Sequence, residues 1–287
     1  MNARTQFAWS VRREVWEHRA IWIAPLAVAA IVLIGFAVAA NHWSGAMRTL
    51  GSLPVGRRWI VSVVPYGLAS SAILAFDWLT AVSYSLDALN GERRDRSILF
   101  WKSMPVSDVI TVLAKAAIPL AVLPAIAVVV ALATQLLMIG EAATILAIND
   151  MPASLAWTQQ PWLTSSVAMV YGMAAHALWF APIFGYLLLV SAAARRSTWL
   201  WAALPPLGAA VFEAIAFGSG HVAAFLKHRL LGGLAAFRPD ALKTPITQFS
   251  QLDPVAFLAL PGLWLGLAFA AACIAAAIRL RRYREPT

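Results

Sequence analysis

The sequence predicts an all-α polytopic membrane protein with six transmembrane helices and cytoplasmic N and C termini. Three observations predict it. Of the 287 residues, 61% are hydrophobic and only 12% charged, about half the charged share of a soluble domain. Mean hydropathy is +0.73. The 22 Lys and Arg residues, which with 13 Asp and Glu give a net charge of +9, sit in short clusters between apolar runs and form no stripe along which nucleic acid could lie. Cys273 is the lone cysteine, so an intrachain disulfide and a Cys-based metal site are both excluded.

Crossing about 30 Å of hydrocarbon takes about 20 mostly apolar helical residues, because backbone N–H and C=O groups find no other partner there. Six runs meet that length: Ile21 to Ala40, Ile60 to Leu86, Val109 to Ile139, Ser165 to Ala194, Thr198 to Phe217 and Pro254 to Ile278. Those in excess of 20 residues imply tilt or extension beyond the bilayer. A rival reading takes the first run as a signal peptide with Ala37-Val38-Ala39 at its cleavage site. The length of the run and the acidic Glu14 and Glu17 before it oppose that.

Orientation follows from the basic residues, which are retained on the cytoplasmic side. The N-terminal arm holds Arg4, Arg12, Arg13 and Arg19. The second connection holds Arg93, Arg94, Arg96 and Lys102, the fourth Arg195 and Arg196, and the tail Arg279, Arg281, Arg282 and Arg284. Those fourteen face seven on the other side: Arg48, Arg57, Arg58, Lys227, Arg229, Arg238 and Lys243. Lys115, just inside the third span, is expected to snorkel toward the cytoplasm.

No internal repeat or low-complexity linker divides the chain, so residues 1–287 are read as a single transmembrane domain. It comprises a cytoplasmic interfacial arm (1–20), a cytoplasmic segment (90–108) and an outer connection (218–253). In the arm, Phe7, Val11 and Val15 form a stripe with Trp9 and Trp16 nearly opposite, which favours an arm lying on the anionic leaflet. In the outer connection, Val222, Phe225, Leu226 and Leu230 recur at helical spacing beside Lys227, His228 and Arg229. An interfacial helix and a helix packed on the outer end of the bundle both satisfy that pattern. The tryptophans Trp157 and Trp162 of the third connection would suit a lipid-like or amphipathic cargo and would serve equally as interface anchors.

The segment after the second span carries most of the functional signal. Asn90-Gly91 reads as a helix stop, Glu92 to Trp101 as a short helix with a charged start and an apolar end, and Ser107 after Pro105 as the N-cap of the third span. The run Glu92-Arg93-Arg94-Asp95-Arg96-Ser97-Ile98-Leu99-Phe100-Trp101-Lys102-Ser103-Met104-Pro105-Val106-Ser107 resembles the intracellular segment after the second span in ABC-2 type permeases, the membrane subunits of bacterial ABC exporters. In that family an acidic-basic pair, a small polar residue, an Ile-Leu-Phe-Trp-like run and Ser-x-Pro-hydrophobic-Ser recur at this spacing. The close match covers about 20 residues, while six spans, cytoplasmic termini and a basic arm agree along the whole length.

The resemblance implies an ABC-2 (type V exporter-like) architecture in the bacterial cytoplasmic (inner) membrane. It implies that two copies, or one copy with a related permease, enclose a pathway for a hydrophobic or amphipathic substrate. Two cytosolic ATPase subunits would bind ATP and Mg and couple through Glu92, Arg93, Arg94, Asp95, Arg96, Phe100, Trp101 and Met104. The chain itself is then no enzyme. Its lysines Lys102, Lys115, Lys227 and Lys243 follow Trp, Ala, Leu and Leu, so none completes the Gly-Lys of a phosphate-binding loop. The partners implied are the ATPase, a second permease and membrane lipid, with no nucleic acid, and neither metal nor cofactor in this chain.

Charged groups at membrane depth cost about 2.5–3.5 kcal/mol on insertion scales, which marks Asp77, His176 and Glu213 as candidates for the translocation pathway. Ser70, Asp77 and Tyr84 follow one another at seven-residue intervals and share one face of the second span. Helix packing through Ser, Thr and a paired acid accounts for the same residues, and Gln135 and Pro205-Pro206 read as packing and kink features. Two other function classes use the same groups: an intramembrane enzyme, or a proton-coupled secondary transporter working through Asp77 or Glu213.

Overall fold

Among the described residues the chain forms fourteen α-helices, six of them long and apolar enough to cross a membrane. The computed structural model describes residues 2–54, 57–95, 106–238, 246 and 248–283, without the side chains of Asn41 and Leu234. Among the described residues there is no β-strand, only an isolated bridge between Phe237 and Leu252. Helix α1 (Ala3–Glu17) is the arm, α2 (Ala20–Val38) the first span, and α3 (Ala40–Arg48) and α4 (Trp59–Ser62) form the first connection. The second span is α5 (Val64–Asp87), extended by α6 (Asn90–Arg94).

The third span unites α7 (Asp108–Ala117) and α8 (Leu123–Ile148) through a π-helical turn at Ile118–Val122. Pro119 in that turn and Pro124 two residues beyond it lack N–H donors, and the hydrogen-bond ladder widens there. α9 (Leu155–Thr158) leads to the fourth span, α10 (Trp162–Ala193). The fifth is α11 (Thr198–Phe217), followed by α12 (His221–Leu231) and α13 (Pro254–Leu258) in the outer connection, and the sixth is α14 (Pro261–Tyr283).

Helices long and apolar enough to span occupy the six expected runs, with boundaries moved: the second starts at Val64 rather than Ile60, the third continues to Ile148 rather than Ile139, and the last starts later. The last run does not start at Pro254: α13 ends at Leu258 and the span proper begins at Pro261. Asp253 caps α13 by accepting the Ala256 N–H at 3.0 Å, and the second proline then restarts the helix. The third and fourth spans run over 41 and 32 residues, about 60 Å and 48 Å at 1.5 Å per residue, so both project beyond a bilayer.

The core divides by depth. Phe36, Trp43, Met47, Tyr66, Met138 and Leu146 pack at the end away from the termini. The larger cluster, which includes Ile21, Leu86, Ile118, Trp179, Phe184 and Leu188, runs from the terminal end up to the outer connection, where it takes in Ala236 and Phe257. The fourth span is the central post, and its longest pairing is with the sixth, where a Cβ on Gly185 would lie 3.1 Å from Ala270 Cα and O. Gly185 thus sets how closely these helices approach. The fifth span is the opposite case. No part of its apolar window is buried, and Trp199, Leu200, Trp201, Leu204 and Phe212 are all exposed.

Replacing Gly185 with Val is expected to force the fourth and sixth spans apart and to cost about 1–3 kcal/mol. Thermal unfolding of the purified protein in detergent measures it, and an unchanged midpoint would show that the two helices can slide without loss.

Candidate functional site

At the end of the bundle that carries both termini, six charged side chains meet, three of them almost fully buried and the others partly so. Glu14 of α1 accepts from Lys115 Nζ of α7 at 2.9 and 3.0 Å, from Arg13 at 2.6 Å and from the Tyr84 hydroxyl at 2.7 Å. Lys115 also lies 3.0 Å from Glu92 of α6. Glu92 is bonded to Arg281 of α14, whose Nε donates to Asp108 at 3.0 Å. Three carboxylates thus face three cations. Lys115 and Glu14 have side chains only 1% exposed, and no single member could be left there alone, because an unpaired buried charge costs several kcal/mol.

Local sequence explains how each member arrives. In α1, Val11 and Val15 pack on the core, and Glu14 lies one turn after Val11, so the apolar stripe carries the acid inward. Trp9 and Trp16 point away, with the Arg12 guanidinium 5.3 and 4.5 Å from their ring centroids. The arm therefore does more than lie on a leaflet; it docks on the third span. Lys115 is a correction to the expectation of snorkelling: it turns inward because two acids wait for it there. Burial drives the Glu14 carboxyl up, but the Lys115 charge and the hydrogen bonds from Lys115, Arg13 and Tyr84 outweigh it and hold the group below its ordinary 4.5.

The expected stop at Asn90-Gly91 is also corrected. The helix breaks earlier, at Ala88 and Leu89, and Asn90 starts α6. The reason is Ser191 of the fourth span, whose Oγ accepts the N–H groups of both Leu89 and Asn90 at 3.0 Å, satisfying donors that a continuous helix would have used. Arg93 then donates to the carbonyls of Ser191, Ala192 and Ala194 and closes the C-terminal end of α10. Arg94 and Asp95 remain exposed. Of the coupling candidates, Arg96, Phe100, Trp101 and Met104 lie outside the described residues, as do Lys102, Pro105, Lys243 and Arg284. Ser107 is the N-cap expected, accepting the Ile110 N–H at 3.3 Å.

The pathway candidates are scattered. Ser70, Asp77 and Tyr84 do share a face, and all three are buried between helices. Ser70 Oγ accepts from Gln135 Nε2 at 2.8 Å, the packing role read for Gln135, and Tyr84 belongs to the charge cluster. Asp77 is 2% exposed and its Oδ1 has no hydrogen-bond partner. His176 stacks on Phe180 at 4.2 Å. Glu213 accepts from Ser219 Oγ at 2.6 Å, Val222 N at 2.6 Å and His221 N at 2.8 Å, so it caps the start of α12 from the preceding helix. Among the described residues no three His, Cys, Asp or Glu side chains group closely enough to hold a metal.

Arg229 is the residue that sequence reading missed. It was counted as an outer charge, yet it is only 9% exposed, with its guanidinium 4.4 Å from the Trp179 ring centroid and Nη1 3.2 Å from Gly262 O. Phe225 and Leu230 of the same helix are exposed instead. Gly266 admits the guanidinium, since a Cβ there would lie on Arg229. The glycine spacing on the sixth span was the signal available.

Compared with known protein families, curated proteins and solved structures, the chain shows no match.

Lys115→Met takes the buried cation from between Glu14 and Glu92 and leaves them only Arg13 in common. We expect a loss of about 3–5 kcal/mol in thermal or chemical unfolding, partly restored by adding Glu14→Gln. Because Glu14 is held below 4.5, its contribution is complete above that pH and fades as pH falls toward the folded-state value. The stability gap between wild type and Glu14→Gln should therefore close on acidification and stay constant from pH 6 to 8. Asp77→Asn, by contrast, removes an unsatisfied buried carboxylate. Its unfolding midpoint should equal or exceed that of wild type, and a fall of several degrees would mean that the carboxylate has a partner.

Proposed function

We propose that the chain is the permease subunit of an ABC-2 type exporter in the bacterial cytoplasmic membrane, with its termini in the cytoplasm and ATP hydrolysed by a separate cytosolic subunit. The observation that carries this reading is the attachment of the segment after the second span. Glu92 is joined to the third span through Lys115 and to the sixth through Arg281, and Lys115 joins it to the arm through Glu14. Arg93 joins the fourth. Two residues further on, Arg94 and Asp95 face solvent. A force applied at the exposed residues reaches four elements at once through short charged contacts.

That is the arrangement a lever needs. Closure of two ATPases on ATP and Mg would push the segment, and the cluster would pass the displacement to the arm and to the third, fourth and sixth spans. The bundle then switches between two packings that nucleotide and cargo bias differently. A second copy or a related permease completes the pathway, and the uncovered fifth span is available to it. Cargo is hydrophobic or amphipathic in this reading.

Glu92 belongs to the cluster, so substituting it tests folding as much as coupling. Arg94→Ala combined with Asp95→Ala is cleaner, since both side chains are exposed. Tagged chain purified from its native membrane should bring down a cytosolic ATPase. In reconstituted vesicles the double variant should keep its spans inserted and lower coupled hydrolysis by at least about fivefold. A chain that purifies without an ATPase and acts without nucleotide would overturn the proposal.

A further inference from the structure

A cavity of about 690 Å³ opens at the terminal end of the bundle, between the end of the second span and the turn joining the fourth to the fifth. Its wall includes Arg93, Arg94, Arg195 and Arg196, with Asp87 the one carboxylate among the described lining residues. Arg93 is tied to the carbonyls of α10, and Arg94 lies 3.4 Å from Asp87 and 3.3 Å from Asp95. Arg195 and Arg196 are exposed and form no ion pair among the described residues. Thr198 and Trp199 begin α11, which has no side-chain cap, so its first N–H groups open onto the same space.

The cavity therefore presents excess positive charge and free donors to something anionic. Its location and size narrow the choice. It is bounded by Leu86 at the end of one span and Trp199 at the start of another, which is the level of lipid headgroups when those spans cross a bilayer. The fifth span above it is apolar and unburied, a surface along which acyl chains can run. The volume falls in the range of sites for organic ligands and exceeds what one inorganic phosphate needs.

We propose that this cavity binds the phosphate-bearing headgroup of an anionic phospholipid, with Arg195 and Arg196 as its principal charge partners and the first turn of α11 as a further donor. The site is independent of the ATPase reading, because lipid binding is measured on the purified chain alone.

The test uses full-length protein in mild detergent, titrated with dioleoylphosphatidylglycerol or dioleoylphosphatidylcholine and followed by native mass spectrometry. Wild type should retain phosphatidylglycerol in preference to phosphatidylcholine. Arg195→Gln/Arg196→Gln should weaken phosphatidylglycerol binding by about thirtyfold, with an unchanged unfolding midpoint in the absence of lipid. Equal retention of the two lipids, or equal affinity in the variant, overturns the proposal. Displacement of the lipid by equimolar inorganic phosphate would assign the site to a free anion. Loss of a co-purifying ATPase from the variant, with lipid binding intact, would assign it to protein docking; either result overturns the lipid site.

Discussion

The mutual neutralisation of Glu14, Glu92 and Asp108 by Arg13, Lys115 and Arg281 is the constraint on which the terminal end of this protein depends. The buried charges among them are tolerable only while each has its partners, because the desolvation cost falls on every ion separately and the attraction offsets it only when the set is complete. The consequence is mechanical as well as energetic. The arm cannot leave the third span without taking Glu14 from Lys115, and α6 cannot shift without carrying Arg281 or breaking from it. Charged contacts of about 3 Å are intolerant of small displacements in a way that apolar packing is not, so the cluster favours whole-body movement of the elements it joins.

The rest of the molecule is graded around that point. The fourth span is gripped by Gly185 against Ala270, by Ser191 and by Arg93, and it is the most buried of the six. The fifth is bonded to it through the Tyr186 hydroxyl, which donates to the carbonyls of Trp201 and Ala202. An apolar stretch with no part buried in its own chain must be covered by lipid or by another chain. The same span ends in Glu213, which holds the outer connection by capping α12, while Arg229 pins that connection over Trp179. The two ends of the bundle thus use charge in different ways: a neutralised cluster at one end, single anchoring ions at the other.

Much of this was legible from the chain. Six spans follow from hydropathy, Ser107 as an N-cap follows from its place before an apolar run, and Gln135 as a packing group follows from the cost of a lone amide in lipid. The misreadings share a cause. Lys115 was expected to reach for water and Asn90-Gly91 to end a helix. Each expectation used the nearest neighbours in sequence. Each outcome was set by a partner far along the chain: Glu14, 101 residues from Lys115, and Ser191, 101 residues from Asn90.

The sequence by itself determined that the chain is helical and apolar, how many times it can cross a membrane, and which connections collect positive charge. These are properties of composition and period, and the bilayer enforces them by denying backbone groups any external partner. Only the tertiary structure decided that Glu14, Glu92 and Lys115 form one object, that the arm docks on the third span, and that a cavity rich in arginine opens beneath the fifth. The reason is that an ionic contact depends on distance through space, and no local pattern encodes which of 13 acids a given cation will find.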